Sequence, residues 1–221
     1  MTRLHVMVEG QSEEAFVRTI LAPHLGGHQI SVDARMVTTN SSLGRRGRGG
    51  VTTYAKLRED LIRWLKEDTK AHFTTCFDCY RLPSDFPGAQ YPRPSDSGDY
   101  AGRLEAAFLQ DLGGDERIIP YLQLHEFETL ILADASRLLG MYPGREQEVG
   151  RLCAEIAHFE DPEQINHDEP PSKRIRKAIP EYDKVAAATQ ILEGIGLLQL
   201  RNRCHHFGQW LTRLEALGRV L

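Results

Sequence analysis

Residues Arg3 to Glu13 read RLHVMVEGQSE, and this stretch decides the fold. Arg3 to Val8 is nearly continuous in apolar β-formers, the pattern of a strand buried on both faces. Glu9-Gly10 makes a tight turn, and Ser12-Glu13-Glu14 starts a helix. From Glu13 to Leu25 the apolar residues Ala15, Phe16, Ile20 and Leu21 recur at helical spacing until Gly26-Gly27 stop the pattern. Strand, turn and helix with an acid at the strand end is the opening of an α/β sheet. In such sheets ligands bind beyond the carboxyl ends of the strands.

Working outward, a second strand runs from Gln29 to Thr39, followed by a Gly/Arg loop, Leu43 to Gly50 (LGRRGRGG). A helix from about Thr53 to Glu67 places Leu57, Leu61, Ile62 and Leu65 on one face. His72 to Tyr80 (HFTTCFDCY) reads as a third strand, and Pro83, Pro87, Pro92 and Pro94 mark a long irregular loop after it. A helix from Asp99 to Leu112 leads to a fourth strand, Arg117 to Leu124. Strands alternating with helices predict a mainly parallel four-stranded sheet with helices on both faces, a Rossmann-like α/β architecture. After His125 the pattern is helical: Phe127 to Leu139, Glu146 to His158, a helix from about Glu181 interrupted near Gly194-Ile195-Gly196, and a last helix from Cys204 to Leu217. Asp161 to Pro180, rich in proline and charge, reads as an exposed loop. The expected organisation is an α/β core over 1–140 with a helical extension, 141–221, packed on it.

The 221 residues are 41% hydrophobic with a net charge of -4, so no global positive field holds nucleic acid and any such contact comes from local patches. No apolar run approaches the roughly 20 residues that span a bilayer, and the N-terminus lacks a signal-peptide pattern. These features predict a cytoplasmic protein without a membrane span. Four cysteines without an export signal predict reduced thiols. Cys76 and Cys79 are three residues apart on a strand, so their thiols face opposite ways and they read as ordinary buried cysteines.

Three strand ends carry acids: Glu9, Asp78, and the run His125-Glu126-Phe127-Glu128. Neighbouring strands are about 4.8 Å apart, so these carboxylates can converge. Converging carboxylates repel unless positive charge lies between them, and hard oxygen ligands in a hydrated site suit Mg²⁺ or Mn²⁺. The competing reading has Glu9 capping the helix that follows and the other acids paired with arginines or facing water. On an extended strand Glu126 and Glu128 share one face; if a helix begins at Glu126 they lie about 200° apart and only one faces inward. Of the two, Glu126 is the expected ligand, with His125 as an orienting or proton-transfer group or a structural histidine. Glu13, one turn into the first helix, is a candidate second-ion ligand or orienting group for Glu9. Arg45, Arg46 and Arg48 in the Gly/Arg loop, and Lys173 and Arg174 in PSKRI, are candidate phosphate contacts, or else solvated loop charges.

VEGQSE at Val8 to Glu13 resembles the EGxxE signature that opens Toprim domains of topoisomerases, primases, recombination proteins and overcoming-lysogenization-defect nucleases. The ordered set VEGQSEE, FDCYRLPSDFPG, IPYLQLHEFETLILAD and PSKRI resembles, over most of the chain, the Toprim-related family catalogued as domain of unknown function 4276. The resemblance implies a Toprim-like fold, Glu9 as metal ligand or general acid/base, and Asp78 as the first acid of the usual DxD pair. Tyr80 stands where that pair has its second acid, so Glu126 or Glu128 completes the site or the branch has lost its metal chemistry. The implied activity is Mg²⁺-dependent cleavage of nucleic acid, as a phage-defence effector working beside an ATPase. The alternative is a non-catalytic module that binds nucleic acid or regulates such an ATPase.

Overall fold

The computed structural model describes residues 1–37, 53–91, 97–165 and 169–218. The expected end of the second strand, the Gly/Arg loop with Arg45, Arg46 and Arg48, and Pro92 and Pro94 lie outside the described residues.

The first half alternates strand and helix. Strand β1 (Thr2–Val8) leads through Glu9-Gly10 into a continuous helical stretch made of α1 (Gln11–Phe16), one π-helical turn (Val17–Leu21) and α2 (Ala22–Gly26). Then come β2 (Ile30–Met36), α3 (Tyr54–Glu67), β3 (His72–Asp78), α4 (Ser97–Asp111), β4 (Ile118–Ile119) and β5 (Leu122–Gln123). The strand order is β2-β1-β3-β4, with β5 also on β3, and every pairing is parallel. This is a Rossmann-like α/β sheet. Because β2 lies on one side of β1 and β3 on the other, the chain reverses direction across the sheet between β1 and β3, which opens a crevice at their carboxyl ends.

The expected fourth strand is two short pieces. Pro120 has no N–H to donate, so the ladder breaks there. The hydroxyls of β3 bridge the gap: Thr75 Oγ1 donates to the Tyr121 carbonyl at 2.7 Å and accepts from the Tyr121 N–H at 3.0 Å.

Side chains of β1 alternate between two cores. Leu4, Val6 and Val8 pack with Phe16, Phe127, Leu130 and Phe207 on one face of the sheet. Met7 packs with Leu57, Leu61, Trp64, Phe73, Leu104 and Phe108 beneath α3 and α4 on the other. A 3₁₀-helical stretch, Phe127–Gly140, broken by a kink at Asp134 where the backbone leaves helical geometry, follows β5, and then α5 (Glu146–Ile156), α6 (Pro171–Ala178), α7 (Lys184–Ile195), α8 (Leu197–Arg203) and α9 (His205–Ala216) complete the first of these cores. Residues of the sheet and of the helices beyond 141 thus share one hydrophobic cluster.

The stretch expected as an exposed loop from Asp161 to Pro180 is in large part ordered helix. Pro171 opens α6, where a missing N–H costs nothing, and Ile175 and Ala178 are buried. Just before it, Asp161 and Glu163 are buried and cap α9: Asp161 Oδ2 accepts from the N–H of His205, and the Glu163 carboxylate accepts from those of His206 and Phe207 at 2.7 and 3.2 Å. Burial, reinforced by Asp161, pushes the Glu163 carboxyl up to about 7.

Candidate functional site

The crevice between β1 and β3 is where the acids meet. Glu9 is the residue after β1, and its Oε1 accepts the backbone N–H of Asp78, the last residue of β3, at 2.9 Å. Glu9 therefore ties the two strand ends together across the point where the topology reverses. Gly10 follows because a side chain there would press on the Glu13 carboxylate, 3.2 Å from where its Cβ would be. That close approach lets α1 start at once and aim Glu13 back at the crevice.

Opposite them stands the run that follows β5. The left-handed backbone of His125, φ 60°, turns the chain, and Glu126 is extended before the 3₁₀ helix begins at Phe127. The two glutamates consequently part. Glu128 enters the crevice, whereas Glu126 turns its Oε2 to the Ser172 N–H at 2.9 Å and so holds the first turn of α6. His125 is buried, with Nε2 3.2 Å from the Glu163 carbonyl.

At the centre is a residue the sequence pattern did not single out. Lys184, in the first turn of α7, places Nζ 2.9 Å from Glu13, 3.3 Å from Glu128 and 3.9 Å from Asp78, and 5.3 Å from the centre of the Phe127 ring. Its side chain is 25% exposed, so the cluster opens to solvent past the ammonium, while Glu13, Asp78 and Glu128 are buried. A lysine at a helix N-terminus opposes the helix dipole, and Asp183 already caps that terminus through Val185 and Ala186. That mismatch is the one local clue that Lys184 serves something beyond its helix.

The electrostatics follow from three buried acids sharing one ammonium. Burial, opposed by Lys184 and reinforced by Glu9, Glu13 and Glu128, drives the Asp78 carboxyl well above the usual carboxylate range. Burial likewise raises Glu128, with Lys184 opposing and Glu126 adding to the rise. For Lys184 burial works the other way, but the attraction of Asp78, Glu128 and Glu13 outweighs it and holds the ammonium firmly charged.

The remaining candidates fall elsewhere. Tyr80 lies just past β3 and is 45% exposed, and its backbone N–H donates to the His125 carbonyl. On α6, Lys173 is exposed beside Ser172, whereas Arg174 is buried, pairing with Glu155 and donating to the Glu169 carbonyl. Among the described residues the carboxylates of the crevice do not bring three ligand atoms within 4.8 Å of one another; His24, His28 and Glu215 do, at the other edge of the sheet. Those three are half-buried or buried beside the first residues of β1.

Over residues 8–215 the chain matches the family model described as Domain of unknown function (DUF4276). The chain belongs to the DUF4276 family. The match begins at the last residue of β1 and ends in the last turn of α9, so the DUF4276 span takes in the sheet crevice and the helices that supply Lys184. No curated protein and no solved structure matches it. No helix among the described residues is long and apolar enough to cross a membrane.

Proposed function

We propose that this DUF4276 protein is a divalent-metal-dependent phosphodiester hydrolase acting on nucleic acid. The observation that carries the reading is the convergence of Glu9, Glu13, Asp78 and Glu128 at the crevice where the strand order reverses, the usual place for a ligand in such sheets. The likeness of VEGQSE to the Toprim signature supports the same assignment. By that likeness the protein acts as a phage-defence effector beside an ATPase.

The donor set suits Mg²⁺ or Mn²⁺: it is all carboxylate oxygen, and its buried acids are short of positive charge. Glu9, Glu13, Asp78 and Glu128 would hold the ion, which when bound supplies Lewis-acid polarisation of a phosphoryl oxygen and a more acidic water. Glu9 also fixes the spacing of the two strand ends through the Asp78 N–H. Lys184 balances the acids and presents its charge at the mouth of the crevice, and Lys173 offers a second positive charge on the exposed side of α6. Glu126 keeps α6 docked beside Glu128.

The test is incubation with single- and double-stranded DNA and RNA in Mg²⁺ or Mn²⁺, alone and with any ATPase encoded next to it. Cleavage is expected, reduced by about two orders of magnitude or more in Glu9→Gln and in Asp78→Asn. Absence of both cleavage and metal binding by calorimetry would overturn the reading.

One observation favours a second reading. Lys184 already occupies the middle of the acids, whose ligand atoms are not gathered at chelating distance, and Tyr80 stands where a second DxD acid is expected. A non-catalytic module that binds nucleic acid or regulates a partner ATPase fits these facts. Nucleic-acid or ATPase binding without Mn²⁺ binding would select it.

A further inference from the structure

The amino edge of the sheet carries a second constellation, unrelated to the acids of the crevice. His24 and His28 are one helical turn apart where α2 runs into the turn that precedes β2, and their rings are 5.2 Å apart. Both present Nε2 to Oε1 of Glu215, at 2.6 and 4.0 Å. Glu215 comes from the last turn of α9, nearly 190 positions later in the chain, and is only 5% exposed. All three ligand atoms lie within 4.8 Å of one another.

We infer that His24, His28 and Glu215 form a site for a borderline-soft divalent ion of the zinc class, clamping α2 to α9. Two imidazoles and one carboxylate are a donor set that zinc takes with its fourth position left to water, whereas Mg²⁺ and Ca²⁺ call for oxygen alone. Ligand atoms around a tetrahedral zinc ion are about 3.3 Å apart, so spacings of 2.6 Å to under 4.8 Å need changes of at most about 1.5 Å to close on an ion. The histidine side chains are 31% and 33% exposed, which leaves a path for the ion and room for the water.

The surroundings are consistent with a joint built to be held. Thr2 Oγ1 donates to the Leu217 carbonyl, and the Gly218 backbone runs so close to the His28 carbonyl that any Cβ there would collide with it. Arg201 from α8 pairs with the same oxygen of Glu215 and supplies the counter-charge when no ion is bound. Arg201 thus competes with the ion, and removing it should tighten binding.

The full chain, stripped of metal, is titrated with Zn²⁺ by calorimetry and with Co²⁺ by visible absorption. One tetrahedrally bound ion per chain, read from the intense visible bands of Co²⁺, and a rise in Tm with Zn²⁺ are expected. Affinity should fall by about tenfold or more in His28→Ala and in His24→Ala, and should rise in Arg201→Gln. No binding by the wild-type chain, or equal binding by the His24→Ala/His28→Ala double variant, would overturn the assignment. The Co²⁺ spectrum needs no variant, so a substitution that unfolds the chain does not spare the proposal.

Discussion

The two edges of the sheet both bring buried carboxylates against a basic side chain from the C-terminal helices, and they resolve the charge in opposite directions. At the carboxyl edge Glu13, Asp78 and Glu128 share Lys184, and Asp78 and Glu128 are pushed up toward their neutral forms. At the amino edge Glu215 faces His24, His28 and Arg201 alone and is held below its ordinary range. Asp78 and Glu128 lie deeper than Glu215 and also share a single cation, and both differences push the two sets apart. A crevice with more carboxylates than cations gains from any added hard positive charge, whereas a lone carboxylate among imidazoles offers nitrogen donors to a softer one.

The contrast breaks most sharply at Lys184. Lys184→Met leaves three buried acids without their cation and should cost about 3–5 kcal/mol at pH 8, read by urea denaturation. Adding Asp78→Asn should restore part of the loss. Unchanged stability in Lys184→Met would mean that the ammonium is not what balances the acids.

A second experiment follows stability against pH. Asp78, Glu128 and Glu163 have folded-state pKa values above their unfolded ones, so the folded chain keeps protons that the unfolded chain releases. Their contribution is complete below the unfolded values and is lost as pH rises through the folded ones. For Glu163, raised to about 7, the swing between pH 4.5 and 7 is roughly 3 kcal/mol, and Glu163→Gln should flatten it. Glu215 runs the other way, stabilising above its unfolded value and losing that contribution as pH falls below about 4.5. A slope unaltered by Glu163→Gln would remove that residue from the account.

The smallest expected effect separates the two neighbouring glutamates. Glu126→Gln keeps an oxygen for the Ser172 N–H and should cost under about 1 kcal/mol, whereas Glu128→Gln removes a charge that Lys184 contacts and should cost about 1–2 kcal/mol. Equal costs in urea would mean that the two do not differ in environment as their contacts suggest.

Much of this was legible in the chain itself. Glu9 and Asp78 end strands whose apolar runs are local, so their meeting at the crevice follows from the strand pattern and parallel pairing. Glu128 was harder. Whether Glu126 or Glu128 faces inward depends on the residue at which the 3₁₀ helix starts, and a shift of one position rotates each side chain by about 120°. The Asp161 to Pro180 stretch was misjudged because Pro-Pro reads as a loop, although a proline in the first turn also opens a helix, as Pro171 does here. Lys184 was harder still, since its position among acids from three distant parts of the chain is a product of how α7 packs on α1 and the 3₁₀ helix.

Pro120 carries a consequence of another kind. It splits the strand on the outer side of β3 into β4 and β5, two residues each, and it hands the intervening ladder bonds to the hydroxyl of Thr75. An intact outer strand of eight residues would offer a row of amides and carbonyls on which another copy could build a continuous sheet. Broken by a residue without an N–H, that margin makes a poor template, and the chain is guarded there against aggregation by its own sequence.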